Sequence, residues 1–210
     1  VKEIAIEGAE DIMVIPGTGM ALVSASPRKE ELAVQERLGG LYLMDLNSKD
    51  YSFKNLTSNL DIPFAPHGIS MFKTDSTYTI MAVNHTLKGH SFEIFKLRGN
   101  TLAFERSITN PAIVSPNDVV MLDENRFYFT NDHKYTDGFM RYVEDYGGLS
   151  ISNIMYFDGK NYNQVADGIA YANGINIDEK RNLVFVASPR KFLVKVYKKS
   201  NDGSLTFIED

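Results

Sequence analysis

The segment Pro116-Asn117-Asp118-Val119, followed by the apolar strand Phe127-Tyr128-Phe129-Thr130, decides the fold class because its pattern occurs four times. Each copy opens with a polar residue, then Asp or Gly, then Ile or Val, and continues through a turn into two apolar strands. The four openings are Glu10-Asp11-Ile12, His67-Gly68-Ile69, Asn117-Asp118-Val119 and Asn173-Gly174-Ile175. They recur roughly every 50 residues, and a repeat of that length with several strands is typical of a β-propeller blade.

The repeat predicts an all-β protein, with residues 1–210 forming one partial propeller domain whose blades open near residues 10, 67, 117 and 173. Stacked blades bury faces that a single small sheet leaves open. An ordinary β-sandwich is the alternative. Helical periodicity occurs in two places, around Arg28 to Glu36 and around Thr136 to Tyr146, where Phe139, Tyr142, Val143 and Tyr146 are spaced for one helix face.

Composition excludes several function classes. The chain of 210 residues carries a net charge of −5, which disfavours a nucleic-acid partner, because phosphate binding needs a concentrated basic surface. It has no cysteine, so disulfides, zinc–thiolate sites and a cysteine nucleophile are absent from it. It also lacks a serine-hydrolase elbow, a Walker A loop and a dinucleotide fingerprint.

The polar residues of the openings predict a cation site. If each opening begins an innermost strand, Glu10, Asn117 and Asn173 approach the central channel from separate blades and offer one carboxylate and two amide oxygens. Calcium prefers such hard oxygen ligands. Adjacent strand residues point in opposite directions, so Asp11 and Asp118 are expected to serve a second cation, together with a backbone carbonyl near Ile69. The alternative is that these groups only hydrogen-bond one another and water.

Two histidines are candidates for acid–base chemistry. His67 occupies a ligand position of the repeat, where a neutral imidazole could act as a general base on water. His85 ends the following strand and could hydrogen-bond His67 and carry protons outward. His133 holds the equivalent place in the next blade, and His90 is interpreted as a surface residue. Ordinary hydrogen-bonded histidines are the competing interpretation for both candidates.

Seven ordered motifs resemble the paraoxonase/arylesterase family, and the resemblance extends from about Gly8 to Gly203. The motifs are Gly8-Ala9-Glu10-Asp11, Leu41-Tyr42-Leu43-Met44-Asp45-Leu46, Phe64-Ala65-Pro66-His67-Gly68-Ile69-Ser70, Val83-Asn84-His85, Pro116-Asn117-Asp118-Val119, Phe127-Tyr128-Phe129-Thr130-Asn131-Asp132-His133 and Ala172-Asn173-Gly174-Ile175-Asn176. The resemblance implies a six-bladed propeller, of which this chain contains about four blades.

The resemblance also implies a calcium-dependent hydrolase of aryl esters and lactones, with organophosphate triesters as poor side substrates. It implies two calcium ions, the catalytic one bound by Glu10, Asn117 and Asn173. The structural one would be held by Asp11, the Ile69 carbonyl and Asp118. His67 would be the base and His85 its relay partner, with Asp132 as a supporting residue.

The resemblance further implies a ligand pair from a following blade and an N-terminal segment, neither of which is found in these 210 residues. A fragment is therefore expected to be inactive alone. The implied partner is a small ester or lactone, with secretion, or membrane anchoring through an N-terminal segment, as the implied localisation. Two alternatives are a strictosidine-synthase-like condensing enzyme and a non-catalytic propeller that binds a protein.

Overall fold

Short antiparallel sheets make up nearly all regular structure of the protein. The computed structural model describes residues 3–27 and 39–210, and within these ranges sixteen strands form four sheets of four strands each. In every sheet the strands pair in the order of the chain, so each strand lies beside the next strand of the same blade. Four such sheets are the blades of a β-propeller, which confirms the predicted all-β propeller class and excludes the β-sandwich.

The first strand of each blade lies at or directly after the corresponding opening of the repeat. Blade one contains β1 (Ala9–Ile15), β2 (Met20–Ala25), β3 (Gly40–Asp45) and β4 (Phe53–Asn55), and blade two contains β5 (Pro66–Thr74), β6 (Thr77–Thr86), β7 (Gly89–Arg98) and β8 (Thr101–Ile108). Blade three contains β9 (Pro116–Met121), β10 (Phe127–Asn131), β11 (Ser152–Phe157) and β12 (Tyr162–Ile169), and blade four contains β13 (Ile175–Asp178), β14 (Leu183–Ser188), β15 (Leu193–Lys199) and β16 (Leu205–Glu209).

The chain divides into two compact units, Val1–Ile108 with blades one and two and Thr109–Asp210 with blades three and four. Each unit has an apolar core between its two blades. In the first unit this core includes the fully buried Leu22, Leu41 and Ile80, and in the second it includes Ile154 and Val184. Burial of each such side chain contributes about 1.5–3 kcal/mol, so the paired blade faces stabilise each unit.

One α-helix lies within the described residues, between β10 and β11. Helix α1 (Gly138–Gly147) ends at Gly148, whose left-handed backbone (φ 61°) is the usual C-terminal signal. It confirms the helix predicted around Thr136 to Tyr146. The other predicted helix, around Arg28 to Glu36, lies outside the described residues.

The aromatic stripe of α1 faces outward. Phe139 is 78% exposed and Tyr146 is 77% exposed, whereas Glu144 is buried. Polar contacts therefore attach this helix to its unit, which reverses the usual division of a surface helix into an apolar buried face and a polar outer face. No helix among the described residues is both long enough and apolar enough to cross a membrane.

Candidate active site

A β-bulge places the candidate ligands of three blades. In β1 the register shifts between Ala9 and Asp11, so Glu10 is an extra residue relative to β2. The equivalent register shift in β5 falls between Pro66 and Ile69. In β9 it falls between Pro116 and Val119, which pair with Asn131 and Phe129 of β10. Bulges interrupt strand alternation and redirect side chains, often beside functional sites. The bulge interrupts the strict alternation assumed for Glu10 and Asp11, and both side chains contact the neighbouring strand β5.

In the first unit, a carboxylate contacts the candidate base. The Oε2 atom of Glu10 lies 3.3 Å from Nε2 of His67, and both side chains are mostly buried. The two residues occupy equivalent positions at the starts of β1 and β5, so the repeat itself brings them together. A carboxylate beside one imidazole nitrogen favours a proton on that nitrogen, which leaves the other nitrogen able to accept one.

The imidazole of His67 is the first of three histidine rings in contact. His67 and His85 meet edge to face with ring centroids 5.3 Å apart, and the rings of His85 and His90 meet with centroids 4.7 Å apart. The Nδ1 atoms of His85 and His90 are 2.8 Å apart, which is a hydrogen bond. The sequence predicted a hydrogen bond between His67 and His85, and the structure brings their rings into contact. His90, interpreted as a surface residue, is half-buried and contacts His85.

A buried amide fixes the loop that leads into His67. Asn84, the residue before His85, accepts a hydrogen bond from the Ala65 amide (2.9 Å) and donates to the Pro63 carbonyl (3.1 Å). Its Nδ2 also donates to Oε1 of Glu93 (2.9 Å), a carboxylate that is 2% exposed. The side chain of Asn84 thus connects the loop before His67 to the strand that carries His85. The sequence alone did not reveal this contact.

In the second unit, Asn131 occupies the position equivalent to Asn84 and performs the same task. Its Oδ1 accepts hydrogen bonds from the amides of Val114 and Ser115 (both 3.0 Å), and its Nδ2 donates to the Ala112 carbonyl (3.1 Å). This loop leads directly into β9, which carries Asn117 and Asp118. A polar residue at the end of the second strand therefore positions the candidate ligands of its blade.

The side chain of Asn117 is oriented by Asp132. Its Nδ2 donates a hydrogen bond to Oδ2 of Asp132 (3.1 Å), so the amide oxygen of Asn117 is turned away from Asp132. The other oxygen of Asp132 accepts hydrogen bonds from the Ser115 hydroxyl (2.6 Å) and from Nδ1 of His133 (2.6 Å). Burial disfavours ionisation of Asp132, but the hydrogen bonds from His133, Ser115 and Asn117 outweigh it and hold the pKa of this carboxyl below its ordinary value.

An ionic network extends from Asp132 to helix α1. The Nε2 atom of buried His133 lies 2.8 Å from Oδ1 of Asp145, which also accepts a hydrogen bond from Nη2 of Arg190 (2.7 Å). Nε of Arg141 donates to the other oxygen of Asp145 (2.9 Å). Burial raises the pKa of Asp145, but the hydrogen bonds from Arg190, Arg141 and His133 lower it more, so the pKa lies well below its usual range. This network fixes the helix beside the residue that orients Asn117.

Acid should weaken this network. A carboxyl whose pKa is lower in the folded protein than in the unfolded chain stabilises the fold above the unfolded value, and the effect disappears as pH falls through the folded value. We therefore expect Asp145→Asn to lower the urea midpoint at pH 7, with a difference from wild type that shrinks below about pH 4. Asp167→Asn, at an exposed site of β12, is the matched control. A difference that grows in acid would contradict this assignment.

A network of four hydrogen bonds, two of which cross from blade one to blade two, connects the blades of the first unit. The Asp11 amide donates to the Ser24 hydroxyl (3.1 Å), which donates to the His67 carbonyl (2.5 Å). Oδ2 of Asp11 accepts from the Ile69 amide (2.9 Å), and its Oδ1 accepts from the Ile12 amide (2.7 Å). We call this arrangement the blade clasp.

The second unit repeats the blade clasp with equivalent residues. The Asp118 amide donates to the Thr130 hydroxyl (3.2 Å), which donates to the Asn173 carbonyl (2.7 Å). Oδ2 of Asp118 accepts from the Ile175 amide (2.8 Å), and its Oδ1 accepts from the Val119 amide (2.8 Å). The clasp is consistent with the alternation of Asp and Gly in the repeat. In each unit, the Asp of one blade accepts a hydrogen bond from the backbone amide of the Ile that follows the Gly of the next blade.

Removal of one clasp hydroxyl should destabilise the second unit. Thr130 is fully buried. The substitution Thr130→Val keeps the shape of the side chain but removes the hydrogen-bond partner of the Asp118 amide and of the Asn173 carbonyl. We expect a loss of about 1–3 kcal/mol in the free energy of unfolding, measured in urea. Thr206→Val, on exposed β16, should change it by less than about 0.5 kcal/mol. Equal effects of the two substitutions would contradict the role of the clasp.

The donor atoms fit calcium in their chemistry. Among the described residues no group of three or more His, Cys, Asp or Glu side chains is arranged to hold a metal ion. Calcium, however, also takes amide and backbone carbonyl oxygens, which the candidate set supplies through Asn117, Asn173 and Ile69. The clasp oxygens of Asp11 and Asp118 accept backbone hydrogen bonds from Ile69 and Ile175. A carboxylate oxygen has two lone pairs, so an oxygen that accepts a hydrogen bond can also bind a cation.

Relatives of known name match nearly the whole chain. Serum paraoxonase/arylesterase 2 of Gallus gallus is 34% identical over 210 residues, which cover 96% of this chain and 59% of that protein. Serum paraoxonase/arylesterase 1 of Homo sapiens is 31% identical over 208 residues, which cover 95% of this chain and 58% of that protein. The chain therefore spans somewhat more than half the length of the curated relatives it matches.

Solved structures of low sequence identity share the fold. A gluconolactonase of Xanthomonas campestris superposes with a TM-score of 0.53 at 12% identity, covering 86% of this chain and 54% of that one. The calcium-binding protein regucalcin of Agrobacterium tumefaciens superposes with a TM-score of 0.55 at 12% identity, covering 98% of this chain and 59% of that one. The arylesterase family model matches residues 1–210, and together with the four blades and their ordered motifs this match shows that the chain belongs to the arylesterase family.

Proposed function

We propose that the protein is a calcium-dependent hydrolase of carboxylic esters, acting on aryl esters and lactones and weakly on organophosphate triesters. The observation that carries this proposal is the contact of Glu10 with His67 at the bulged starts of β1 and β5, in a chain of the arylesterase family. The printed names of the relatives, paraoxonase and arylesterase, agree with an ester substrate. Family membership argues against the condensing enzyme and the non-catalytic propeller.

Two calcium ions are part of the proposal. Glu10, Asn117 and Asn173 would hold the catalytic ion, and Asp11, the Ile69 carbonyl and Asp118 would hold the structural ion. A carboxylate with amide and carbonyl oxygens is a donor set that suits calcium, and regucalcin is a calcium-binding protein of the same fold. When bound, the catalytic ion would supply Lewis-acid polarisation of the ester carbonyl.

The residues of the chain would perform the proton chemistry. With a proton on the Nε2 atom that faces Glu10, the neutral His67 ring carries its lone pair on Nδ1. Nδ1 would accept a proton from the attacking water as its oxygen bonds to the ester carbonyl carbon. The acyl C–O bond would then break, and the proton would pass to the leaving alkoxide or phenoxide. Glu10 would hold the ring in this tautomer, His85 would fix its face by edge-to-face packing, and Asp132 would keep the amide of Asn117 in one orientation.

The proposed localisation is extracellular, because the relatives are named serum proteins. Membrane anchoring through an N-terminal segment is the alternative that the family resemblance implies. The expected partner is a small ester, and nucleic acid is not expected, given the net charge of −5.

The proposal is tested by measuring hydrolysis with and without calcium. The full-length protein would be assayed with phenyl acetate, a δ-lactone and an organophosphate triester, first in millimolar calcium and then after chelation. We expect ester and lactone hydrolysis that chelation abolishes and added calcium restores. Ester hydrolysis that persists after exhaustive chelation would contradict the calcium requirement, and absence of hydrolysis at any calcium concentration would contradict the activity.

A further inference from the structure

The hairpin between β6 and β7 places a second imidazole against His85. His85 and His90 are direct partners in the strand register, with Thr86 opposite Gly89 at the end of the hairpin. The Thr86 hydroxyl donates to the Gly89 carbonyl (3.1 Å) and accepts from the Lys88 amide (3.2 Å), so the turn fixes this register. Gly89 has a φ of 128°, a conformation that a residue with a side chain rarely adopts.

The contact between the two rings constrains their protons. The Nδ1 atoms are 2.8 Å apart, and a hydrogen bond between two ring nitrogens requires a proton on one and a lone pair on the other. A neutral imidazole carries one proton, so the state of Nδ1 in His85 determines the state of its Nε2. His85 therefore cannot choose its tautomer independently of His90. Both rings are half-buried, which limits the access of water that would otherwise replace this bond.

We propose that His90 is a positioning residue for the catalytic histidine pair, because it couples the tautomer of His85 to its own and fixes the ring plane of His85. The ring of His85 packs at right angles against His67, with an interplanar angle of 86°, so its orientation defines one wall of the space that the His67 ring occupies. The order of contacts is then Glu10, His67, His85 and His90, all within the first unit. The expected effect of His90 on turnover rests on the proposed hydrolase function. The hydrogen bond between His85 and His90, in which the two rings share one proton, does not depend on that function.

Nitrogen NMR on the full-length protein tests the shared proton. These 210 residues contain four histidines, and their ring signals are assigned by replacing each of the four in turn. In His90→Phe the ring shape is retained and the hydrogen bond is lost, and we expect the Nδ1 and Nε2 shifts of His85 to move toward those of a solvent-exposed histidine. In His90→Asn, whose amide can restore a hydrogen bond, the shifts should return toward wild type. Lys88→Ala, at the exposed turn, is the control and should leave both the Nδ1 and the Nε2 shift of His85 unchanged.

Kinetics on the same variants test the effect on turnover. For lactone hydrolysis we expect His90→Phe to lower kcat by about 10-fold with KM changed less than about 2-fold, in line with the loss of a supporting partner, and His90→Asn to recover part of it. Unchanged His85 shifts in His90→Phe, or an unchanged kcat despite moved shifts, would overturn the inference. If the wild-type protein hydrolyses no ester, the proposed function fails, and the nitrogen shifts alone then decide whether His90 positions His85.

Discussion

Replacement of His67 by Gln should lower kcat for lactone hydrolysis by about 10²–10⁴-fold, the usual contribution of a positioned general base. Gln fills a similar volume and can still hydrogen-bond Glu10, whose Oε2 lies 3.3 Å from Nε2 of His67 in the wild-type protein. It cannot accept the proton of the attacking water. The measurement is steady-state hydrolysis of a δ-lactone by the full-length protein in saturating calcium.

The matched control for this substitution is His133→Gln. His133 has the equivalent place after the second strand of blade three, but its ring nitrogens face Asp132 and Asp145, so it cannot act as a free base. It should lower the urea midpoint and reduce kcat far less than His67→Gln does. If His67→Gln keeps kcat within about 3-fold of wild type while calcium affinity is unchanged, His67 is not the base and only orients the substrate.

Glu10→Gln should weaken calcium binding by more than the ~10–100-fold that loss of a supporting residue causes, because it removes the one carboxylate proposed for the catalytic ion. Ligand charge strongly tunes calcium affinity, and the substitution leaves size and shape almost unchanged. The measurement is the calcium dissociation constant of the full-length variant, with hydrolysis recorded across the same calcium range. Excess calcium should restore part of the activity if the ion still reaches its site.

Glu209→Gln, on exposed β16, is the control for this change in charge. It alters the net charge by the same amount and should leave calcium affinity unchanged. Equal calcium affinity in Glu10→Gln and wild type would remove Glu10 from the ligand set and leave it only the role of orienting His67.

The blade architecture was predictable because the repeat records it directly. Apolar strands such as Phe127–Asn131 alternate with turns at a blade-like spacing, and three of the four polar openings lie in the first strand of their blade. Asn173 instead lies two residues before β13, where its amide still pairs with the Ala187 carbonyl (3.0 Å). The helical spacing near Phe139 likewise predicted α1, but not that its aromatic side chains face outward.

The contacts around the candidate site were less predictable, because they depend on register. Strand alternation separated Glu10 from Asp11, whereas the bulge at Glu10 brings both to β5. His90 lies in an apparent surface turn, and only the two-residue hairpin places it opposite His85. The blade clasp was also missed, although the alternation of Asp and Gly in the openings was its signal. The proposed calcium ligands and the base remain predictions.

Calcium titration of the metal-free full-length protein by calorimetry, with aryl-ester hydrolysis recorded on the same samples, tests the central claim most directly. We expect two saturable calcium-binding events, and hydrolysis that rises as one of the two sites fills. Absence of calcium binding, together with hydrolysis that is the same in chelator as in calcium, would contradict it.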